Sequence, residues 1–193
     1  MTTVYTLFPE PLVALPTLQN SDTSPYSFAV EFSVSNPCQL NAIWFYSGSG
    51  ATDLPSDIAL YTASDSTLVH TETATWSGAA GSGSVRAEFA SKPTLSAATN
   101  YKAVIHQPVS TVWYSATSHY WDTGDGSAGI TNGPITAPNN ASVTGDGGQC
   151  TFLPSTSPGC PVDSFNAGNY WLDPEVQLIA TPISSGLLMS SIV

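Results

Sequence analysis

In the segment YSFAVEFSV, Phe28, Val30, Phe32 and Val34 alternate with Ser27, Ala29, Glu31 and Ser33. Successive side chains of a strand point to opposite faces, so this order predicts a half-buried β-strand. A helix would need apolar residues three and four apart, and no stretch of the chain carries that repeat with capping residues. The strand reading recurs along the chain. Residues 39–46 continue after the Asn36–Pro37 break, and 57–62 and 68–75 read as two short strands joined by a polar turn. Val85, Ala87 and Phe89 alternate, as do Tyr101, Ala103 and Ile105, and residues 112–121 form an aromatic-rich strand. NYWLDPEVQLIA closes the set, kinked or at an edge, because Pro174 cannot donate to a ladder. Short strands punctuated by Gly, Pro and Ser predict an all-β fold, an antiparallel β-sandwich or jelly roll.

Between Asp122 and Gly168 the alternation disappears, which predicts one long Gly/Pro/Asn-rich loop. Structureless stretches of that length inside a compact domain are usually functional. The expected organisation is a single β-sandwich domain over residues 1–180 and an apolar C-terminal tail over 181–193. Exposed apolar residues at a chain end suggest a docking segment, here Leu187, Leu188, Met189, Ile192 and Val193; the alternative is a tail folded back on its own domain.

Charge narrows the function. Only 9% of residues are charged, against roughly 25% in an average soluble domain, so Ser, Thr, Asn, Gln and Gly must make the surface. The formal net charge is −11 and the only cations are Arg86, Lys92 and Lys102. Nucleic-acid binding needs basic residues to displace counterions from phosphates, and attraction to anionic lipid needs them too, so neither partner is expected. No apolar run is long enough to span a bilayer, so no membrane insertion is expected. MTTVYTLFPEPLVALP has no basic n-region, so it does not read as a signal peptide. The expectation is a protein released by cell lysis, as phage proteins are, or one whose leader has been replaced.

The residues offer three chemistries. For catalysis, His70, His106 and His119 fall on predicted strands, and no G-x-S-x-G elbow or zinc spacing appears. His119 and Asp122, three apart on a strand, would face opposite ways. An enzyme is therefore not expected. Asp122, Asp125 and Asp146 lie in DTGDGSAG and TGDGGQ, where glycine could let carbonyls turn toward calcium. Asp and Gly together are also ordinary turn chemistry, so the expectation is no cofactor, with calcium as the alternative. Trp113, Tyr114, Tyr120 and Trp121 precede the long loop, and Tyr170 and Trp171 follow it. If the loop ends meet, these rings cluster, and one or two exposed rings could stack on a glycan while the rest fill the core. Of the cysteines, Cys150 and Cys160 bracket a short segment that a disulfide could close, and Cys38 reads as a buried thiol.

TLFPE, WFYSGSG, DIALYTASDSTLVHTETATWSG, KPTLSAATNYKAVIH, YSATSHYW, NGPITAP and FNAGNYWLD follow one another in this order. The ordered set resembles the family catalogued as domain of unknown function 4082, from about Thr6 to about Leu178. Where that family usually has a basic residue before its aromatic pair, this chain has Trp44. The resemblance implies a β-sandwich in an extracellular or virion setting and brings no catalytic residues. The leading expectation is a non-enzymatic virion accessory protein, a capsid decoration or tail component in many copies that docks on phage capsid or tail proteins. The alternative is a carbohydrate-binding or adhesion module at a bacterial surface, and host surface glycans could be partners in either setting.

Overall fold

A computed structural model describes residues 3–9, 12, 18–20, 24–108 and 114–180. Its strands, in chain order, are β1 (Val4–Tyr5), β2 (Leu18–Asn20), β3 (Tyr26–Val34), β4 (Cys38–Ser47), β5 (Asp57–Thr62), β6 (Leu68–Thr73), β7 (Trp76–Ser77) and β8 (Gly83–Glu88). They continue with β9 (Thr94–Leu95), β10 (Asn100–Gln107), β11 (Tyr114–Ala116), β12 (Ile130–Asn132), β13 (Ile135–Ala137), β14 (Cys150–Pro154) and β15 (Leu172–Leu178). One antiparallel sheet runs β1-β15-β4-β8-β7 with β9 on β4; the other runs β12-β13-β3-β10-β5-β6 with β14 on β3. A small β11-β2 pair completes the fold. No helix occurs among the described residues, and the chain is an all-β sandwich.

The alternation read from the sequence builds the core. Phe28, Val30 and Phe32 of β3, Ala103 and Ile105 of β10, and Ile58 and Leu60 of β5 face one way. They meet Leu40, Ile43 and Phe45 of β4, Val85 and Ala87 of β8, and Leu172 and Val176 of β15. Each large side chain removed from water stabilises by about 1.5–3 kcal/mol, so this face decides which way every central strand turns. At Pro174, β15 has only β4 as neighbour, because β1 pairs no further than Val176 and Gln177. The register also shifts between Glu175 and Val176. The missing N–H of Pro174 therefore falls where the ladder is already one-sided.

Two expectations fail together. β3 is not half-buried, because Ser27, Ala29 and Glu31 on its other face are fully buried too. Residues 122–168 are not a structureless loop either. They contribute the β12–β13 hairpin, turning at Gly133 and Pro134, and β14, which pairs with β3 from Tyr26 to Val30. Residues 144–146 and 160–161 of the segment lie over the outer face of the sheet.

A pair of buried charges accounts for that cover. Glu31 and Lys102 stand opposite each other across β3 and β10, and both are fully buried. An ion taken out of water without partners costs several kcal/mol, so each needs hydrogen bonds. The Glu31 carboxylate accepts from Asn100 Nδ2 at 2.9 Å, Thr144 N at 2.7 Å and Gly145 N at 3.0 Å. Lys102 Nζ donates to the carbonyls of Asp146 at 3.0 Å and Pro161 at 2.8 Å. Burial pushes the Lys102 pKa below the usual lysine range, while Cys160, Glu31 and Asp146 act against that shift.

The covering segment also separates two cysteines. Cys150 lies opposite Val30 on the core side, and Cys160 packs on Ala29, Ala59, Tyr61 and Val104 on the outer side. All three cysteines are free thiols, so the bridge that the spacing allowed is not formed. The sheet itself lies between the two sulfurs. Burial pushes the Cys150 thiol up to about 12, which keeps it protonated and unreactive.

Gly147 has φ +88°, and a Cβ there would lie 1.8 Å from the Val162 carbonyl oxygen. Gly147→Ala must therefore strain the backbone and lift the cover off Lys102. The expected cost is about 2–4 kcal/mol, a fall in Tm of roughly 5–15 °C by calorimetry.

Candidate binding groove

The ends of the 122–168 segment do meet. Thr117 and Asn169 exchange backbone hydrogen bonds at 2.9 Å each, His119 N donates to Asn166 O at 2.7 Å, and Trp121 N to Ala167 O at 3.1 Å. The flanking rings cluster as expected, with Phe8 5.4 Å from Trp171 and 6.1 Å from Tyr120, and Tyr114 5.9 Å from Tyr170. They do so inside the protein. Tyr120, Trp121, Tyr170 and Trp171 are buried and Tyr114 is partly buried. These rings are core, and among the described Phe, Tyr and Trp residues the exposed one is Phe165, at 65%, which the alternation did not mark. Trp113 lies outside the described residues, as do Leu187, Leu188, Met189, Ile192 and Val193.

The acidic candidates are not brought together. Among the described residues no three His, Cys, Asp or Glu side chains converge as metal ligands would. His119 sits in a turn at φ +58°, not on a strand, and its Nδ1 shares a 3.0 Å hydrogen bond with Asp122 Oδ2. Among the described residues of the strand expected over 112–121, the strand is β11, and His119 lies beyond it, so the opposite-face argument for this pair does not apply. In TGDGGQ the backbone does turn a carbonyl inward, that of Asp146, and the cation it meets is the Lys102 ammonium. The lysine thus takes at Asp146 the place that the calcium alternative would have given a metal ion.

One Ser–His–Asp row exists. Ser27, His106 and Asp57 are neighbours across β3, β10 and β5, and Ser27 Oγ shares a 2.9 Å hydrogen bond with His106 Nδ1. In a catalytic triad the carboxylate holds Nδ1 and the hydroxyl Nε2; here Ser27 takes Nδ1, Asp57 accepts from the Ser56 hydroxyl, and both Ser27 and His106 are buried, so the row does not have that arrangement.

A concave feature with convergent polar groups lies elsewhere, where the two sheets reach their edges. β6 ends the seven-stranded sheet, and the chain crosses through Ala74 and Thr75 into β7, the edge of the other. Between them is an open groove of about 610 Å³ lined by Glu72, Thr73, Thr75, Trp76, Ser77, Arg86, Glu88 and Ala90. Trp76 pairs with Ala87, is partly buried, lies 6.1 Å from Phe45 and donates from Nε1 to Pro55 O at 2.7 Å. Arg86 alternates with the core residues Val85 and Ala87 and so projects from the outer face.

Arg86 is held from several sides. Its Nε and Nη2 bond the two oxygens of Glu175 at 2.9 and 2.7 Å, Nη1 bonds Glu88 at 2.5 Å, and the guanidinium lies 5.8 Å from the Trp44 ring centroid. Trp44 Nε1 donates to the same Glu175 at 3.1 Å. The Glu175 hydrogen bonds raise the Arg86 pKa above its ordinary value. Burial would raise the Glu175 pKa, but the bonds from Arg86, Trp44 and Asn41 outweigh it and hold the carboxyl below its ordinary value. Glu72 accepts from Ala90 N at 2.9 Å and shares a 3.0 Å hydrogen bond with His70 Nε2. The sequence reading passed over this groove. Its available signal was the scarcity of cations, which makes the surroundings of each one worth asking about.

Burial holds the His106 pKa below its ordinary value, with Asp57 opposing. The unfolded chain then takes up a proton near pH 6.5 that the folded chain refuses, so stability present above that pH is lost as pH falls below it. In urea titrations the midpoint is expected to fall between pH 7 and 5, and His106→Asn to flatten that fall. An equally steep fall in the variant would assign it to other groups.

The domain of unknown function family DUF4082 matches residues 13–172. No curated protein matches the sequence. The matched span takes in every residue lining the groove, though not Glu175, and over it the chain belongs to the DUF4082 family.

Proposed function

We propose that this domain is a non-catalytic recognition module that takes a saccharide in the groove between β6, β7 and β8. The observation that carries the reading is the composition of that groove: an indole, a guanidinium locked in place, two carboxylates and three hydroxyls around one open hollow. A sugar ring offers an apolar C–H face that stacks on an indole and hydroxyls that exchange hydrogen bonds with fixed carboxylates and side-chain hydroxyls. Arg86, already immobilised by Glu175, would lose little further entropy on binding. A surface of uncharged polar residues with net charge −11 suits display outside a cell, on a bacterium or on a phage particle.

The test is a glycan array followed by titration calorimetry. Trp76→Ala is expected to weaken the best array ligand at least tenfold, and Trp76→Phe to retain most of the affinity. Matched far-ultraviolet spectra would show that both variants fold. No array ligand, or a ligand held equally well by Trp76→Ala, would sink the proposal.

A second reading concerns attachment. Val4, Leu178 and Ile179 are 47, 37 and 40% exposed, and Val4 pairs beside Leu178 where the chain continues toward its apolar end. This favours docking of that end on a larger assembly, a phage capsid or tail, with the groove displayed outward. Deleting residues 184–193 should abolish co-sedimentation with particles and leave saccharide binding unchanged; retained co-sedimentation would remove the docking reading.

A further inference from the structure

We propose that the groove selects saccharides bearing free amino groups over neutral ones and rejects uronates and sulfated sugars, an inference that rests on the saccharide reading above. The carboxylates in and beneath the groove are those of Glu72, Glu88 and Glu175, and the one guanidinium is that of Arg86. Lys92, two residues past Ala90, does not line it, and Lys102 is buried under the outer cover of the other sheet.

Arg86 is also the residue that would ordinarily clamp an anion. Recognition of a carboxylate or sulfate uses two parallel N–H donors of a guanidinium fork. Here one edge of the fork, Nε with Nη2, is spent on Glu175, and Nη1 is engaged by Glu88. An incoming anion would have to displace Glu175, whose carboxylate is itself buried and held by Trp44 and Arg86, or take the N–H groups left on Nη1 and Nη2 against the repulsion of the Glu88 and Glu175 carboxylates.

Glu88 has the opposite character. Its side chain is 64% exposed, and Oε1 is the oxygen that accepts from Arg86. Oε2 is thus left at the groove rim to accept from a ligand. An amide N–H or a hydroxyl gives this carboxylate a hydrogen bond alone, whereas an ammonium adds the attraction of opposite charges, so an amino sugar gains there what an N-acetylated or hydroxylated sugar does not.

Calorimetry on the full chain with three oligosaccharides of one backbone tests this: free-amine, N-acetylated and uronate forms. The free-amine form is expected to bind about tenfold more tightly than the acetylated form at low salt, with the advantage shrinking at high salt as the charges are screened. The uronate form should show no binding. Glu88→Gln should bring the free-amine affinity to within about twofold of the acetylated one. Asp122→Asn, which removes the same charge away from the groove, should keep the full preference. Equal losses in the two variants would mean that net charge alone attracts amines, and would overturn the proposal. So would a uronate that binds as well as the amine. Binding of the acetylated form alone, lost in Trp76→Ala, would sink the amine preference and leave the saccharide reading standing; no binding by any form would sink both.

Discussion

Two charges face each other on the side of the sheet that looks away from the core, and much of this domain follows from covering them. Glu31 and Lys102 sit on the two central strands of the larger sheet, where water is excluded. Removing either partner's hydrogen bonds would leave an uncompensated ion in a low-dielectric environment. The segment after β13 therefore does structural work. Thr144 and Gly145 present N–H groups to the carboxylate, while Asp146 and Pro161 present carbonyls to the ammonium. Only glycine fits this approach at Gly145, where a Cβ would lie 2.9 Å from Lys102 Cε and 3.0 Å from Glu31 Oε2. The same cover places Cys150 and Cys160 on opposite sides of the sheet.

At the other end of that segment, closure is aromatic. Tyr120, Trp121 and Trp171 pack around Phe8, and Phe8 is in turn fixed by its backbone. The Asp173 carboxylate accepts from Leu7 N and Phe8 N, both at 2.7 Å, tying the start of the chain to the closing strand. Four residues at this junction, His119, Asn166, Ala167 and Trp171, take positive φ without being glycine. Each such residue costs free energy that only dense surrounding contacts sustain, so the packing here holds the backbone where local preference would not. Rings that flank a long segment thus serve its closure, which is why they are not on the surface.

The groove follows another logic. At the sheet edges, side chains of β6, β7 and β8 that lie outside the core border a hollow. In a chain with 14 acidic and three basic residues, each base has many carboxylates to choose among. Arg86 takes two of them and an indole face, giving a rigid polar floor beside a part-exposed Trp76. Rigidity of this kind lowers the entropic cost of holding a ligand.

The sequence by itself determined the architecture. Alternation in β3, β4, β8 and β10 names the inward residues, because a strand has two faces and only one can meet the other sheet. It also carried a signal that was not used, the Gly133-Pro134 of ITNGPIT, which forms the turn of the β12–β13 hairpin inside the expected loop. Tertiary structure alone decided the fate of the candidate residues. Whether Trp121 faces water, whether Asp146 meets a metal or a lysine, and which carboxylate holds Arg86 depend on contacts between residues far apart in the chain: 44 positions for Lys102 and Asp146, 89 for Arg86 and Glu175. Local pattern reports the direction of a side chain relative to its own strand. It does not report what another segment lays on top of it, and burial and charge pairing are properties of that second layer.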